Sequence, residues 1–115
     1  MKKKYELTGK FKMFLDKKLF QIRALVSFGS VEAGEIGGYI EKEENLSHAG
    51  NAWVSGDAWV YGNAKVYGNA EVYGDARVSG NAWVSGNAGV YGNAEVYKST
   101  HLLQVGAIGS RDGDA

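Results

Sequence analysis

The chain contains no cysteine and no proline. Without cysteine there is no disulfide framework, no thiolate metal site and no thiol nucleophile. Without proline, every internal residue keeps a backbone N–H to give to a ladder, which suits strands whose edges are all in use. An excess of one charge is missing as well. Thirteen basic side chains balance thirteen acidic ones, which argues against a polyanion partner held by bulk charge and against an acidic nucleic-acid mimic. No apolar run approaches the length of a membrane span, and the lysines at positions 2–4 are not followed by an apolar core and cleavage site. The expectation is a cytoplasmic protein with no membrane association and no nucleic-acid partner. The 115 residues suffice for one small folded unit, and 44% hydrophobic with 23% charged residues lies outside the range of disordered chains.

What is present is unevenly distributed. Residues 1–23 carry eight basic against two acidic side chains, a local +6, whereas residues 24–50 carry five Glu against Lys42, a local −4. Residues 51–97 hold two basic and four acidic side chains, and residues 98–115 are balanced. All four phenylalanines precede residue 50 and all three tryptophans follow it. Head and body are built on different plans.

The body is an internal repeat of period six. From Gly50 to Tyr97 it reads GNAWVS, GDAWVY, GNAKVY, GNAEVY, GDARVS, GNAWVS, GNAGVY, GNAEVY, with no insertion. A helix does not accommodate glycine at every sixth residue, since six is not a multiple of 3.6 and each such glycine costs about 1 kcal/mol. Each hexad reads instead as a short strand plus a tight turn. In Ala-x-Val-Tyr/Ser, alternation sends Ala and Val to one face and the other two residues to the opposite face. Gly with Asn or Asp supplies the turn, because these residues accept left-handed backbone angles.

Three hexads per turn give an 18-residue triangular coil whose strands stack in parallel about 4.8 Å apart. Stacking then places Val54, Val72 and Val90 in one inner column, Val60, Val78 and Val96 in a second, and Val66 and Val84 in a third. Each fully buried valine contributes roughly 1.5–3 kcal/mol, against the entropy of ordering the chain. Outside, eight of the sixteen positions are aromatic: Trp53, Trp59, Trp83, Tyr61, Tyr67, Tyr73, Tyr91 and Tyr97. So much aromatic surface points to an interaction surface and to self-association, although stacking that merely stiffens the solenoid accounts for the same pattern. Arg77 falls between Trp59 and Glu95 on one outer column, in reach of a cation–π contact and an ion pair.

The open ends of such a stack need covering. Residues 1–30 are expected to form a hairpin cap, with strands Phe11 to Leu15 and Leu19 to Leu25 around Asp16-Lys17-Lys18. Residues 31–49 read as an irregular first coil, residues 50–97 as the regular helix, and residues 98–115 as one last strand and a loose tail. Lys2, Lys3 and Lys4 read as a solvated terminus.

Candidate chemistry is sparse. Gly29 and Gly34 have the spacing of a phosphate loop, but Glu35-Ile36 stand where Lys and Ser or Thr are required, so that reading fails. Asp57 and Asp75 stack on one corner; since Asp alternates with Asn in the turn slot, they read as turn residues, and no metal site and no cofactor are expected. His48 and His101 are the only histidines, and both lie outside the regular hexads.

Val54 with Ala58, Val60 with Ala64 and Val66 with Ala70 have the aliphatic-then-small spacing that resembles the hexapeptide repeat of left-handed parallel β-helices. The resemblance implies the left hand, and it implies a trimer or dimer, since such proteins commonly pack a flat face around an axis. The segments Phe20 to Leu25, Ala33 to Glu41 and Asn45 to Ser47, followed by the repeats, are similar to small bacterial and prophage-encoded hexapeptide-repeat proteins. That resemblance implies a non-enzymatic, phage-type β-helix acting as a rigid protein-interaction surface, with a host protein such as a defence nuclease as partner. The alternative it implies is a hexapeptide-repeat acyltransferase using an acyl-CoA-type donor, with His48 or His101 as general base.

Overall fold

The computed structural model describes residues 3–96, together with the backbone of two short strands beyond them, His101–Leu102 and Ala107–Ile108. The chain folds as an all-β parallel solenoid of about three turns, preceded by an antiparallel hairpin.

The hairpin pairs β1 (Tyr5–Phe14) with β2 (Lys17–Ala24) through a two-residue turn at Leu15-Asp16. The first strand begins at Tyr5 rather than Phe11, and Lys17 and Lys18 belong to the second strand rather than to the turn. The reason is local: the register shifts between Leu7 and Phe11, where Gly9 lies, which lets the strand continue past its break in alternation. The turn itself rests on Leu15, whose φ is +57°.

β3 (Ile36–Ile40) links the two parts of the molecule. It runs antiparallel to β2 on one side and parallel to β5 (Trp59–Val60) on the other. Gly37 and Gly38 permit this approach, since a Cβ on Gly37 would stand 2.6 Å from the Val54 carbonyl oxygen and one on Gly38 2.8 Å from that of Ala58.

The repeats supply β4 (Trp53–Val54), β6 (Lys65–Val66), β7 (Glu71–Val72), β8 (Arg77–Val78), β9 (Trp83–Val84), β10 (Gly89–Val90) and β11 (Glu95–Val96). The first face of the prism is β4-β7-β10, the second is β3-β5-β8-β11 extended by the hairpin, and the third is β6-β9. Registers pair Val54 with Val72, Val60 with Val78 and Val66 with Val84, so the three expected valine columns are present. The seven valines from Val54 to Val90 have no exposed surface, and the alanines beside them close the core. Beyond Val96 the six-residue spacing persists. β12 (His101–Leu102) pairs with β9 and β13 (Ala107–Ile108) with β10, so two short strands stand where the sequence suggests one last strand.

Glycine recurs because the corners require it twice over. Gly68 has φ +70°, and a Cβ there would stand 2.9 Å from the backbone nitrogen of Gly86 in the next coil. The first coil departs from the period: Ile40 and Leu46 sit twenty residues before their partners Val60 and Val66, instead of eighteen. The two extra residues are taken up in the corner between Leu46 and Trp53, which contains His48.

Candidate functional site

The direction of the backbone ladder defines the chemistry of the two ends. Each coil donates its N–H groups forward: Asn51 to the Gly68 carbonyl at 3.0 Å, Trp53 to Ala70 at 3.1 Å and Ser55 to Val72 at 2.9 Å. The carbonyls of the first regular coil, residues 50–66, therefore point back towards the head, where the irregular coil before them supplies backbone donors to only some of them. Buried carbonyls without partners cost on the order of 1–3 kcal/mol each.

Three different devices fill that place. At one corner the Lys4 ammonium donates to the Ala52 carbonyl at 2.7 Å and the Gly50 carbonyl at 3.3 Å. At a second corner the Asn45 carboxamide donates to Gly62 at 3.2 Å and Ala64 at 2.9 Å, while its oxygen accepts from the N–H groups of Glu41 and Lys42 at 3.1 and 2.9 Å. Along the second face, the N–H groups of Tyr39 and Glu41 donate to Ala58 and Val60 at 3.0 and 3.1 Å. One amide side chain thus replaces two backbone N–H groups, and so does one ammonium.

Lys4 does not lie in a solvated terminus. It is 4% exposed, its nitrogen sits 4.4 Å from the centre of the Phe28 ring, and burial lowers its pKa to about 8. Its neighbour Tyr5 is fully buried and donates to the Leu46 carbonyl at 2.5 Å, with the Glu43 carbonyl at 3.1 Å as second acceptor. Burial raises the Tyr5 pKa, and the charges of Glu43 and Glu44 push it the same way.

His48 is built into the same cluster. Its ring stacks on Tyr5 with centroids 4.1 Å apart and planes 12° apart. Nδ1 accepts the Lys4 backbone N–H at 3.0 Å, which fixes the proton on Nε2, and Nε2 donates to Glu43 Oε1 at 3.1 Å. Glu43 also binds the Lys3 ammonium at 3.0 Å; that hydrogen bond first and His48 second hold its carboxyl below the usual carboxylate range. Both ring nitrogens are engaged, so a general base at His48 has no free lone pair. The second candidate base, His101, has its backbone in β12 beside Trp83, and its side chain lies outside the described residues.

The aromatic set divides according to what the head covers. Trp53, which the alternation places on the outer surface, is only 5% exposed and lies beneath Phe28 at 5.4 Å and Tyr5 at 6.4 Å. Phe28, in the loop after β2, folds back over the start of the first face and helps to bury Trp53. Trp59 is half-buried between the Phe14 ring at 5.0 Å and the Arg77 guanidinium at 4.2 Å, and Tyr61 packs on the same Phe14 at 5.4 Å. The expected cation–π contact forms. Among the described residues the ion pairs engage Glu6, Glu41 and Glu43 but not Glu95, because Arg77 is drawn to the rings. Tyr73 and Tyr91 stack at 5.5 Å on the first face, and Tyr67 meets Trp83 edge-on at 6.3 Å on the third. Tyr97 lies outside the described residues.

The third face carries a groove of about 710 Å³, lined chiefly by nonpolar surface, with Tyr67, Trp83, Glu43, Glu44, His48 and Lys65 among its lining residues. Trp83 is 38% exposed there. Among the described residues, no group of three or more His, Asp and Glu side chains is arranged to hold a metal ion, and Asp57 and Asp75 occupy the corner turns, their N–H groups bonded to Gly74 and Gly92 of the next coil.

Sequence reasoning missed Lys4, Tyr5 and Asn45. A lysine in a run of lysines carries no sign of burial, and the only signal for Asn45 is its place one residue before an apolar residue aligned with Val66.

Parallel strands, three faces and an inner valine column on each face define a β-solenoid repeat protein. The sequence model of the YdcK β-solenoid repeat matches residues 70–86, about one coil of the regular stack. No curated protein matches the chain significantly.

Proposed function

We propose that the chain is a non-enzymatic β-solenoid that works as a rigid protein-interaction surface and self-associates as a dimer or trimer. The observation that carries this reading is the unequal covering of the aromatic columns. Trp53, Trp59 and Tyr61 pack against the chain's own head, whereas Tyr67 and Trp83 line a broad, chiefly apolar groove. A broad groove lined chiefly by apolar surface supports a place for a partner. The resemblance to prophage-encoded hexapeptide-repeat proteins extends the proposal to a host protein, such as a defence nuclease, as a further partner on the same rigid frame.

Acyl transfer receives no support from His48, whose nitrogens are both occupied. Light scattering on the full chain tests the main reading: the expected mass is that of a dimer or trimer, and a clean monomer at high concentration would overturn it. Titration with acetyl-CoA separates the two classes, because saturable binding lost on His48→Ala or His101→Ala is the behaviour of an acyltransferase.

A further inference from the structure

The tip of the hairpin presents apolar side chains that nothing in the fold requires to be apolar. Phe11, Met13 and Leu15 are 43%, 58% and 77% exposed. Phe11 and Met13 alternate on one side of β1, and Leu15 begins the turn. Leu15 holds φ +57°, a conformation that asparagine or glycine adopts more readily, so neither solubility nor turn geometry selects leucine there. Phe14, on the opposite side of the strand, packs on Trp59 and Tyr61. That contact holds the turn against the body and leaves the Phe11 and Met13 side facing outward.

The cations of the head are unevenly matched. Lys3 pairs with Glu43, Arg23 with Glu6 and Lys17 with Glu41. Lys10, Lys12 and Lys18, all in the half of the hairpin towards the turn, have no ion pair among the described residues. Lys12 lies over the Tyr39 ring and borders a hollow with Asp57, Asp75, Arg77 and Glu95, so its charge is directed at the body. Lys10 and Lys18 are exposed, and the Lys18 nitrogen sits 4.9 Å from the Phe11 ring centre. Residues 1–23 carry a local +6 in a chain with no net charge, so residues 24–115 carry −6. A molecule polarised in this way turns its head towards an anionic surface.

We infer that the hairpin tip docks on an anionic lipid surface. Leu15, Met13 and Phe11 enter the boundary between headgroups and acyl chains, while Lys10 and Lys18 stay among the lipid phosphates. An apolar ridge flanked by cations needs a partner that is anionic at its surface and apolar beneath, and a bilayer with anionic headgroups has its layers in that order. Asp16, exposed beside Leu15, is the one carboxylate within residues 10–18 and opposes the contact. That no stretch is long and apolar enough to span a bilayer bears on crossing it, not on resting against it. The contact goes beyond self-association, and neither requires the other.

Flotation of the full chain with vesicles of phosphatidylcholine alone, or of phosphatidylcholine and phosphatidylglycerol in equal parts, tests it. The chain should float with the mixed vesicles, far less with the neutral ones, and binding should fall as salt is raised. Leu15→Asn suits the positive φ and keeps the hairpin folded, and it should weaken binding about tenfold or more. Lys10→Glu together with Lys18→Glu should weaken it as well, whereas Asp16→Asn should strengthen it. Because the chain has no cysteine, Met13→Cys and Glu71→Cys each accept a single environment-sensitive fluorophore, one at the tip and one on the exposed side of β7. Emission should shift to the blue on mixed vesicles at position 13 and stay constant at position 71. No flotation with either vesicle overturns the docking, whatever mass light scattering returns. Equal binding to both vesicles, no response to the lysine reversals, or weaker binding on Asp16→Asn overturns the anionic surface as partner. Flotation that Leu15→Asn leaves unchanged, or a label at position 13 that stays unshifted while the chain floats, overturns entry of the tip. A shift at position 13 that grows with protein concentration in the absence of vesicles makes the tip a contact between copies, which also overturns the docking.

Discussion

The start of the solenoid and its middle solve one problem by opposite means. In the middle, each coil is completed by the next through identical backbone bonds, each from an N–H to the carbonyl seventeen residues on, and no single side chain carries the arrangement. At the start the preceding coil is irregular and incomplete, and the same carbonyls are met by Lys4, Asn45 and the backbone of that coil. Stability in the middle is a property of the period, and at the start it belongs to individual residues. The difference teaches that a repeat protein's boundary is written in side chains that break the repeat.

The largest expected effect lies in the middle, where the inner columns admit no charge. Val72→Asp buries a carboxylate without a partner in a column that has no exposed surface, and loss of cooperative unfolding by circular dichroism is the expected result. A melting temperature equal to the parent's would remove the inner-column assignment.

Next come the side chains of the first coil. Asn45→Ala orphans the carbonyls of Gly62 and Ala64 together with the Lys42 N–H, while the Glu41 N–H keeps the Val60 carbonyl, at a cost of about 2–4 kcal/mol in denaturant unfolding. Asn63→Ala, in the regular corner, removes one exposed amide contact to Asn81 and should cost less than about 0.5 kcal/mol. Equal costs would erase the contrast between the two regions.

Lys4 adds a pH dependence. Its pKa is lowered to about 8 in the fold from 10.5. Between those values the unfolded chain binds more protons than the folded one, so this residue's contribution to stability rises as pH increases from about 8 towards 10.5, and is flat below. Tyr5, whose pKa is raised, works in the opposite sense above pH 10, where the unfolded phenol ionises first and the fold loses stability. Urea unfolding between pH 7 and 9.5 should therefore show an upward slope that Lys4→Met flattens.

The smallest effect concerns the outer corners. Asn63–Asn81 and Asn69–Asn87 stack amide on amide at 3.3 and 3.5 Å, whereas the third corner stacks Asp57 beneath Asp75. Asp75→Asn removes a like-charge pair on adjacent coils and should raise the melting temperature slightly, a gain within about 0.2–1 kcal/mol. A lower melting temperature would point to a role for the carboxylate beyond the turn.

Much of the middle is legible in the sequence, since the Gly-Asn/Asp-Ala-x-Val period fixes strand, corner, register and core in one pattern. The hairpin is legible as a hairpin, but its turn is not, because Leu15 is a poor turn residue by type and Lys17-Lys18 look like turn residues while lying in β2. The capping cluster is the least legible part. Burial of Lys4 depends on Phe28 and on carbonyls 46 and 48 residues away, and no local pattern encodes contacts of that range. Trp53 misleads for the same reason, since its hexad is like Trp83's and only the overlying Phe28 and Tyr5 make it interior.

The central claim is that the head completes the first coil through named side chains. Paired thermal unfolding of Lys4→Met and Lys65→Met tests it most directly, because both remove one lysine charge, one from the first-coil cap and one from the exposed side of β6. The account predicts a fall of several degrees for Lys4→Met, as expected for roughly 1–3 kcal/mol in a chain of this size, and little change for Lys65→Met. Equal melting temperatures for the two variants would contradict it.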